Sequence, residues 1–187
     1  KDPAVGDAVL LYRSAEHEED VAAKLLQNGI PAVAIWGRRL YVPEIPQIHY
    51  DVHEAPALAC RHLVDCGYTR IGFVGTKGVN VSLGSKFFAF THILHDAGLD
   101  YRAKHVCDIK SGNYYGRAYK AVEDMIHAGA PPEALFVDTD AKALEVVSAI
   151  HDAGLSVPDD IAVVGYDDIP EAARCSPPLT TVRTPRR

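Results

Sequence analysis

Short apolar segments alternate along this chain with longer segments in which apolar residues recur at helical spacing. Strands are predicted near residues 7–12, 32–36, 47–50, 70–75, 105–109, 134–138 and 161–165. Helices are predicted near residues 16–28, 53–66, 84–97, 114–128 and 140–153. Because parallel strands need a crossover connection, this alternation is typical of an α/β fold in which helices cover a parallel sheet.

Each predicted helix is followed by a glycine, which marks where that helix is expected to end. These glycines occupy positions 29, 67, 98, 129 and 154. Glycine adopts a left-handed backbone at little cost, so we expect each of them to form a C-terminal cap. The pentapeptide HDAGL occurs at 95–99 and again at 151–155, and its leucine can supply the apolar contact that closes such a cap.

The two parts of the chain differ in how complete a sheet they can build. Residues 70–165 carry four predicted strands and three intervening helices, which is enough for a doubly wound lobe. Residues 1–50 carry two or three strands and one helix, which cannot cover both faces of a sheet. We therefore expect the N-terminal lobe to be incomplete in this chain.

Composition bounds the partners that this chain can have. A formal charge of −6, with no run of Lys or Arg longer than two residues, does not provide the basic surface that a nucleic-acid backbone requires. The chain has no run of 18 apolar residues, so we predict no membrane partner. Its four cysteines lack metal-ligand spacing, which favours free thiols and a cytoplasmic location.

Polar side chains follow several predicted strands, where ligands bind in open α/β sheets. The segments that follow these strands are Thr76 to Lys86, Lys110 to Tyr115, Asp138 to Asp140 and Tyr166 to Asp168. Together they form an acidic and aromatic edge on which few side chains are basic. Such an edge suits a polyhydroxylated or cationic small molecule better than a phosphate.

Two segments could be interpreted as a dinucleotide-binding site and as a phosphohydrolase site, and in each case the sequence departs from the motif. The segment GFVGTKG at 72–78 has the spacing GxxGxxG instead of GxGxxG, which disfavours a dinucleotide site. The segment LFVDTDAKAL resembles the DxD motif of Mg²⁺-dependent haloacid dehalogenase phosphohydrolases, with Asp138, Asp140 and Asp167 as metal ligands. That motif should open the fold, whereas here it comes late in the chain. The phosphohydrolase therefore remains an alternative only.

Metal binding and nucleophilic catalysis also lack support in the sequence. The pairs His92/His95 and His49/His53 have suitable spacing, but neither has a clear third ligand. No Ser or Cys lies in a GxSxG turn. We predict no catalytic residue, no metal and no cofactor.

Four segments carry a specific resemblance. They are HLVDCGYTRIGFVG, AVEDMIHAGAPPEALFVDTDAKAL, AIHDAGLSVPDDIAVVGYDD and PPLTTVR. In order and spacing they resemble the effector-binding domain of the LacI/GalR family of bacterial transcription repressors, over nearly the whole chain. Periplasmic sugar-binding proteins share the fold but usually lack the last motif, so a secreted sugar receptor is a further alternative.

The resemblance implies a two-lobed periplasmic-binding-protein-like fold that holds an effector, most simply a sugar, in the cleft between its lobes. By the family's layout, residues 1–50 are part of the N-terminal lobe, 51–182 are the C-terminal lobe and 183–187 are a crossover. It also implies a homodimer. Operator DNA would be bound through a helix-turn-helix domain that lies outside this chain, and no reaction would be catalysed.

The resemblance also assigns ligand-binding positions. Asp167 matches the family's cleft aspartate, while the family's usual Asn-Asp pair is here Thr139-Asp140. The expected arginine falls at Lys86, which keeps the charge but loses the bidentate fork. A stacking aromatic residue is expected after the strand at 105–109, and it falls at Asn113 or Tyr114.

Overall fold

The structure is a computed structural model in which the chain divides into two compact units, residues 1–51 and 52–187. It describes residues 8–12, 18–35, 42, 44–48, 54–77, 86–109 and 115–183.

The first unit is built on a three-stranded parallel sheet with the strand order β1-β2-β3. Its elements are β1 (Val9–Tyr12), α1 (Glu18–Gln27), β2 (Ala32–Ile35) and β3 (Gln47–Ile48). Ala22 of α1 and Ile45 are fully buried and pack with apolar residues of β1 and β2. The helix therefore covers this sheet through a small apolar cluster.

The second unit carries the larger sheet and four of the helices. In chain order its helices and strands are α2 (Glu54–Asp65), β4 (Ile71–Gly75), α3 (Lys86–Asp96), β5 (Val106–Asp108), α4 (Arg117–His127), β6 (Ala134–Val137), α5 (Asp140–Asp152), β7 (Ala162–Tyr166) and β8 (Thr180–Val182). A short 3₁₀ helix, Ala103–His105, leads into β5.

All five strands of the second unit are parallel, in the order β5-β4-β6-β7-β8. From β4 the chain first moves outward to β5, and it then returns to the other side of β4 to form β6. The order of strands thus reverses between β4 and β6. In doubly wound sheets, this reversal opens a crevice at the carboxyl ends of the two strands.

The core of this unit lies on both faces of the sheet, because every residue of β4, β6 and β7 is buried. On one face, Phe73 and Phe136 pack with residues of α2 and α3. On the other face, Leu135 and Val163 pack with residues of α4 and α5. This arrangement explains why these strands are continuous apolar runs, and it confirms the predicted α/β class.

The predicted glycine caps are confirmed. The glycines at 29, 67, 98, 129 and 154 all have φ between 63° and 89°. In both HDAGL segments the leucine amide closes the cap, since Leu99 N donates to Leu94 O at 2.8 Å and Leu155 N donates to Ile150 O at 3.1 Å.

The short strand β8 was not predicted. It follows Pro177 and Pro178, spans three residues and pairs in parallel with the end of β7. A three-residue segment after two prolines is too short to carry a recognisable strand pattern.

Across the described residues, no helix is both long enough and apolar enough to cross a membrane.

Candidate functional site

The candidate site lies at the carboxyl edge of the five-stranded sheet, where β4, β6 and β7 end. Thr76 follows β4, Asp138 and Thr139 follow β6, and Asp167 follows β7. Because these strands are neighbours in one parallel sheet, the residues that follow them share one edge.

Asp138 ties the end of β6 to β4. One carboxylate oxygen accepts a hydrogen bond from the backbone N–H of Thr76 at 2.8 Å, and the other lies 2.7 Å from Nζ of Lys142. A Cβ atom at Gly75 would lie 2.3 Å from Cγ of Asp138, so only glycine fits there. The carboxylate is thus engaged by the protein itself.

Lys86 is the first residue of α3 and reaches across the same edge. Its Nζ donates a hydrogen bond to the carbonyl oxygen of Asp138 and lies 3.6 Å from the centroid of the Tyr166 ring. Burial lowers the pKa of this ammonium, while the carboxylate of Asp167 is the strongest influence in the opposite direction. Lys86 therefore helps to set the potential around Asp167.

Asp140 is completely buried, with 0% of its surface exposed. Its Oδ2 accepts from the backbone N–H of Ile169 at 2.9 Å, and its Oδ1 accepts from the hydroxyl of Thr181 at 2.6 Å. A Cβ atom at Gly165 would lie 2.2 Å from Oδ1, which explains the glycine in the segment VVGYDD. Asp140 thus joins the start of α5 to the segment after β7.

Residues 167–169, which we call the Asp167 turn, have an unusual backbone. The φ angles of Asp167 and Asp168 are 119° and 55°, a region that residues other than glycine rarely adopt. Each residue in such a conformation raises the free energy of the folded state by about 1–3 kcal/mol, and this kind of strain is common at functional sites. The N–H of Asp167 donates to the carbonyl oxygen of Val182 at 3.0 Å, which fixes the turn to β8.

The side chains on either side of the turn are also placed by the fold. The carboxylate of Asp168 accepts a hydrogen bond from Nε of Arg183, the residue that follows β8. Thr139 is partly buried and has an extended backbone, with φ −150° and ψ 150°, immediately before α5. Its position at the end of β6 agrees with the predicted edge.

The beginning of α4 has an exposed aromatic residue and an unexpected capping group. Tyr115 is 85% exposed, and it lies two residues before the helix. The carboxylate of Glu145, on α5, accepts from the backbone N–H groups of Gly116 at 3.0 Å and Ala118 at 3.1 Å. The predicted stacking positions, Asn113 and Tyr114, lie outside the described residues.

The structure brings Lys86, Thr139, Asp140 and Asp167 to one edge of the sheet. Within the described parts of the chain, no three His, Cys, Asp or Glu side chains form a cluster that could hold a metal ion. Sequence reasoning missed several residues that support this edge, namely Gly75, Lys142, Glu145, Gly165, Thr181 and Arg183. Their partners are distant in sequence, except for Lys142, which lies four positions after Asp138. Because Asp138 precedes α5, no helical period predicts that pair.

Comparison with known families gives a clear match. Residues 60–187 match the family described as "Periplasmic binding protein-like domain". The chain is 33% identical over 181 residues to the HTH-type transcriptional repressor PurR of Aliivibrio salmonicida, covering 95% of this chain and 53% of that protein. It is 29% identical over 178 residues to catabolite control protein A of Priestia megaterium, covering 94% and 52%. The chain therefore spans about half the length of the curated relatives it matches.

Solved structures show the same fold. The transcription regulator GntR of Chromobacterium violaceum has a TM-score of 0.80 and 27% identity, with 97% of this chain and 65% of that chain covered. A LacI-family regulator of Lactobacillus casei with bound sucrose has a TM-score of 0.80 and 24% identity, with 96% and 65% covered.

Proposed function

This chain belongs to the effector-binding, periplasmic-binding-protein-like domains of the LacI/GalR family of transcription regulators, and from this premise we propose that it senses a sugar and thereby controls operator binding. The operator would be bound by a DNA-binding segment of the full-length protein. We further propose that the regulator acts as a homodimer in the cytoplasm. No catalytic role is proposed, since the similar proteins PurR and GntR are a transcriptional repressor and a transcription regulator.

The observation that carries this proposal is Asp167, a partly buried carboxylate in a strained turn at the carboxyl edge of β7. A carboxylate accepts two or more hydrogen bonds from neighbouring hydroxyl groups, each worth about 1.5–3 kcal/mol. An analogue that lacks one of these hydroxyls leaves a desolvated charge unpaired, and this gives selectivity without catalysis.

The other predicted ligand positions belong to the same proposal. Thr139 would offer a hydroxyl beside Asp167, and Lys86 would balance the acidic charge of this edge. Asn113 or Tyr114 would supply the face on which a sugar ring packs. For Asp140, complete burial and two internal hydrogen bonds favour an indirect contribution. A sugar is favoured as effector because the edge is acidic, and sucrose is the ligand in one similar structure.

The proposed mechanism is a shift of a conformational equilibrium. A sugar that binds one conformation of the full-length regulator more tightly than another increases the population of that conformation. A coupling free energy of about 1–3 kcal/mol changes operator affinity by about 5- to 150-fold. No covalent bond is formed or broken in this process.

A thermal-shift screen of the full-length protein tests the proposal. We would use sucrose, glucose, galactose and ribose as probes, and a sugar at about 100 times its dissociation constant stabilises a protein by about 2.7 kcal/mol. We expect at least one sugar to raise the melting temperature. The Asp167→Ala variant should lose this response, while it still binds operator DNA in a fluorescence anisotropy assay.

Asp159→Ala is the matched control, because this exposed aspartate precedes β7 and lies toward the opposite end of the strand. The control should respond to the sugar like the wild-type protein. An unchanged sugar response in Asp167→Ala would contradict the assignment of Asp167. A wild-type protein that responds to none of the four sugars would contradict the choice of sugar as effector.

A further inference from the structure

We propose that Thr181, through its hydrogen bond to Asp140, is a positioning residue that holds the Asp167 turn in the conformation that binds effector. This inference rests on the function proposed above, because it assumes that Asp167 contacts the effector. The inference gives β8, the strand that the sequence did not predict, a role in holding this turn. Neither Thr181 nor the buried carboxylate of Asp140 would itself touch the effector.

The hydrogen-bond direction at Thr181 follows from its partner. A carboxylate can only accept, so the hydroxyl proton of Thr181 points to Oδ1 of Asp140, 2.6 Å away. The lone pairs of the same hydroxyl then face other donors, and the backbone N–H of Asp168 lies 3.4 Å from it. Asp140 thus fixes the orientation of the hydroxyl, and the hydroxyl accepts from the strained turn.

The other two backbone N–H groups of the turn also donate hydrogen bonds to β8 or to Asp140. Asp167 donates to the carbonyl oxygen of Val182 in β8, and Ile169 donates to Oδ2 of Asp140 at 2.9 Å. Three consecutive backbone donors are therefore held by β8 and one buried carboxylate. Left-handed backbone at Asp167 and Asp168 persists only where the surroundings over-determine it. These three hydrogen bonds hold the turn in that backbone conformation.

Removal of the Thr181 hydroxyl should therefore loosen the turn. Valine has nearly the shape of threonine, so Thr181→Val keeps the packing but leaves Oδ1 of Asp140 without its partner and the Asp168 N–H without its acceptor. Serine retains the hydroxyl, so Thr181→Ser should restore the turn. Thr180→Val is the matched control, since adjacent residues of a strand point to opposite faces.

Hydrogen–deuterium exchange of the full-length protein, followed by mass spectrometry, measures the turn directly. In Thr181→Val we expect peptides that cover residues 166–170 to exchange about tenfold faster than in the wild type. The same peptides should exchange at the wild-type rate in Thr181→Ser and Thr180→Val. Peptides that cover β4 should be unchanged in all variants, which separates local loosening from global destabilisation.

Wild-type exchange at residues 166–170 in Thr181→Val would overturn the inference, as would an equal acceleration in β4. Titration of the four sugars provides the second readout. If a sugar binds the wild type, its affinity should fall about tenfold in Thr181→Val and recover in Thr181→Ser. Unchanged affinity in Thr181→Val would overturn the positioning role. If none of the four sugars binds the wild type, the sugar assignment fails, and the exchange result still decides the role of Thr181.

Discussion

Nζ of Lys142 lies 2.7 Å from Oδ1 of Asp138, and both side chains are buried. The second oxygen of that carboxylate holds the backbone N–H of Thr76 beyond β4. The Asp138 carboxylate therefore joins the two strands at which the strand order reverses, and its ion pair with Lys142 ties them to α5. These contacts fix the position of the Asp138 carboxylate at the edge that carries the candidate site.

We predict that Lys142→Met destabilises the protein by about 3 kcal/mol, because it removes the ammonium that contacts the buried carboxylate of Asp138 directly. Urea denaturation of both proteins measures the change in the free energy of unfolding. Lys120→Met is the matched control, since Lys120 pairs with Glu123 and Asp124 on the exposed face of α4. The free energy of unfolding should fall much less in the control than in Lys142→Met, because solvent screens the exposed Lys120 pairs.

The double variant Asp138→Asn/Lys142→Met should be more stable than Lys142→Met alone, because it also removes the buried carboxylate charge that has lost its contact with Lys142. If the double variant is less stable than Lys142→Met, the pair does not act as described. An equal fall in the free energy of unfolding in Lys142→Met and Lys120→Met would also contradict the role of the Asp138–Lys142 pair.

Gly165→Ala should destabilise the protein by about 3 kcal/mol, because the new methyl group would overlap Oδ1 of Asp140. Gly129→Ala is an instructive contrast. Its φ is 77° and no atom lies within 4 Å of the added carbon, so its loss of about 1–2 kcal/mol comes from the backbone alone. Thermal denaturation gives both values. A smaller loss for Gly165→Ala than for Gly129→Ala would contradict the close approach of Asp140 to β7.

Most of the fold was predictable because its signals are local. The glycine caps and the apolar runs of β4, β6 and β7 each depend on a few neighbouring residues. These local signals agree with one another, and such agreement is expected of a sequence that specifies one fold. The edge that carries Asp167 followed from the order of strands and helices alone.

The support of the site was not predictable, because it depends on residues far apart in the chain. The hydroxyl of Thr181 meets Asp140 across 41 positions, and the carboxylate of Glu145 meets Gly116 across 29. Neither spacing follows from a helical or strand period. Asp140 was predicted as a ligand contact from its place in a motif, and that prediction stays untested, although complete burial suits the positioning role proposed here.

His105 should make stability depend on pH. Burial is the main cause that lowers the pKa of this imidazole from its ordinary value of 6.5, and the positive charge of Lys104 adds to the shift. A lowered pKa means that the unfolded chain binds the proton more readily, so the contribution of His105 is complete above pH 6.5 and is lost as the pH falls through the folded-state pKa.

Urea denaturation of wild type, His105→Gln and His127→Gln above and below pH 6.5 measures this dependence. In the folded protein Nε2 of His105 bonds the carbonyl oxygen of Ala130 at 3.1 Å, and the glutamine amide can also donate such a bond. We expect the acid-induced loss of stability to be smaller in His105→Gln than in wild type. His127 is exposed on α4, so its variant should follow the wild type. If the free energy of unfolding of His105→Gln falls with pH as steeply as that of the wild type, the prediction is wrong.

Glu145 should stabilise α4, although it lies on a different helix. Its carboxylate accepts from the backbone N–H groups of Gly116, which precedes α4, and of Ala118 and Tyr119 in the first turn, where N–H groups have no acceptor within the helix. Glu145→Ala should therefore destabilise the protein by about 0.5–2 kcal/mol, as does the loss of a side-chain N-cap. Glu145→Gln should lose less, because it keeps one acceptor oxygen. Exchange of the α4 amides locates the effect, and equal protection of α4 in all three proteins would show that Glu145 is not its cap.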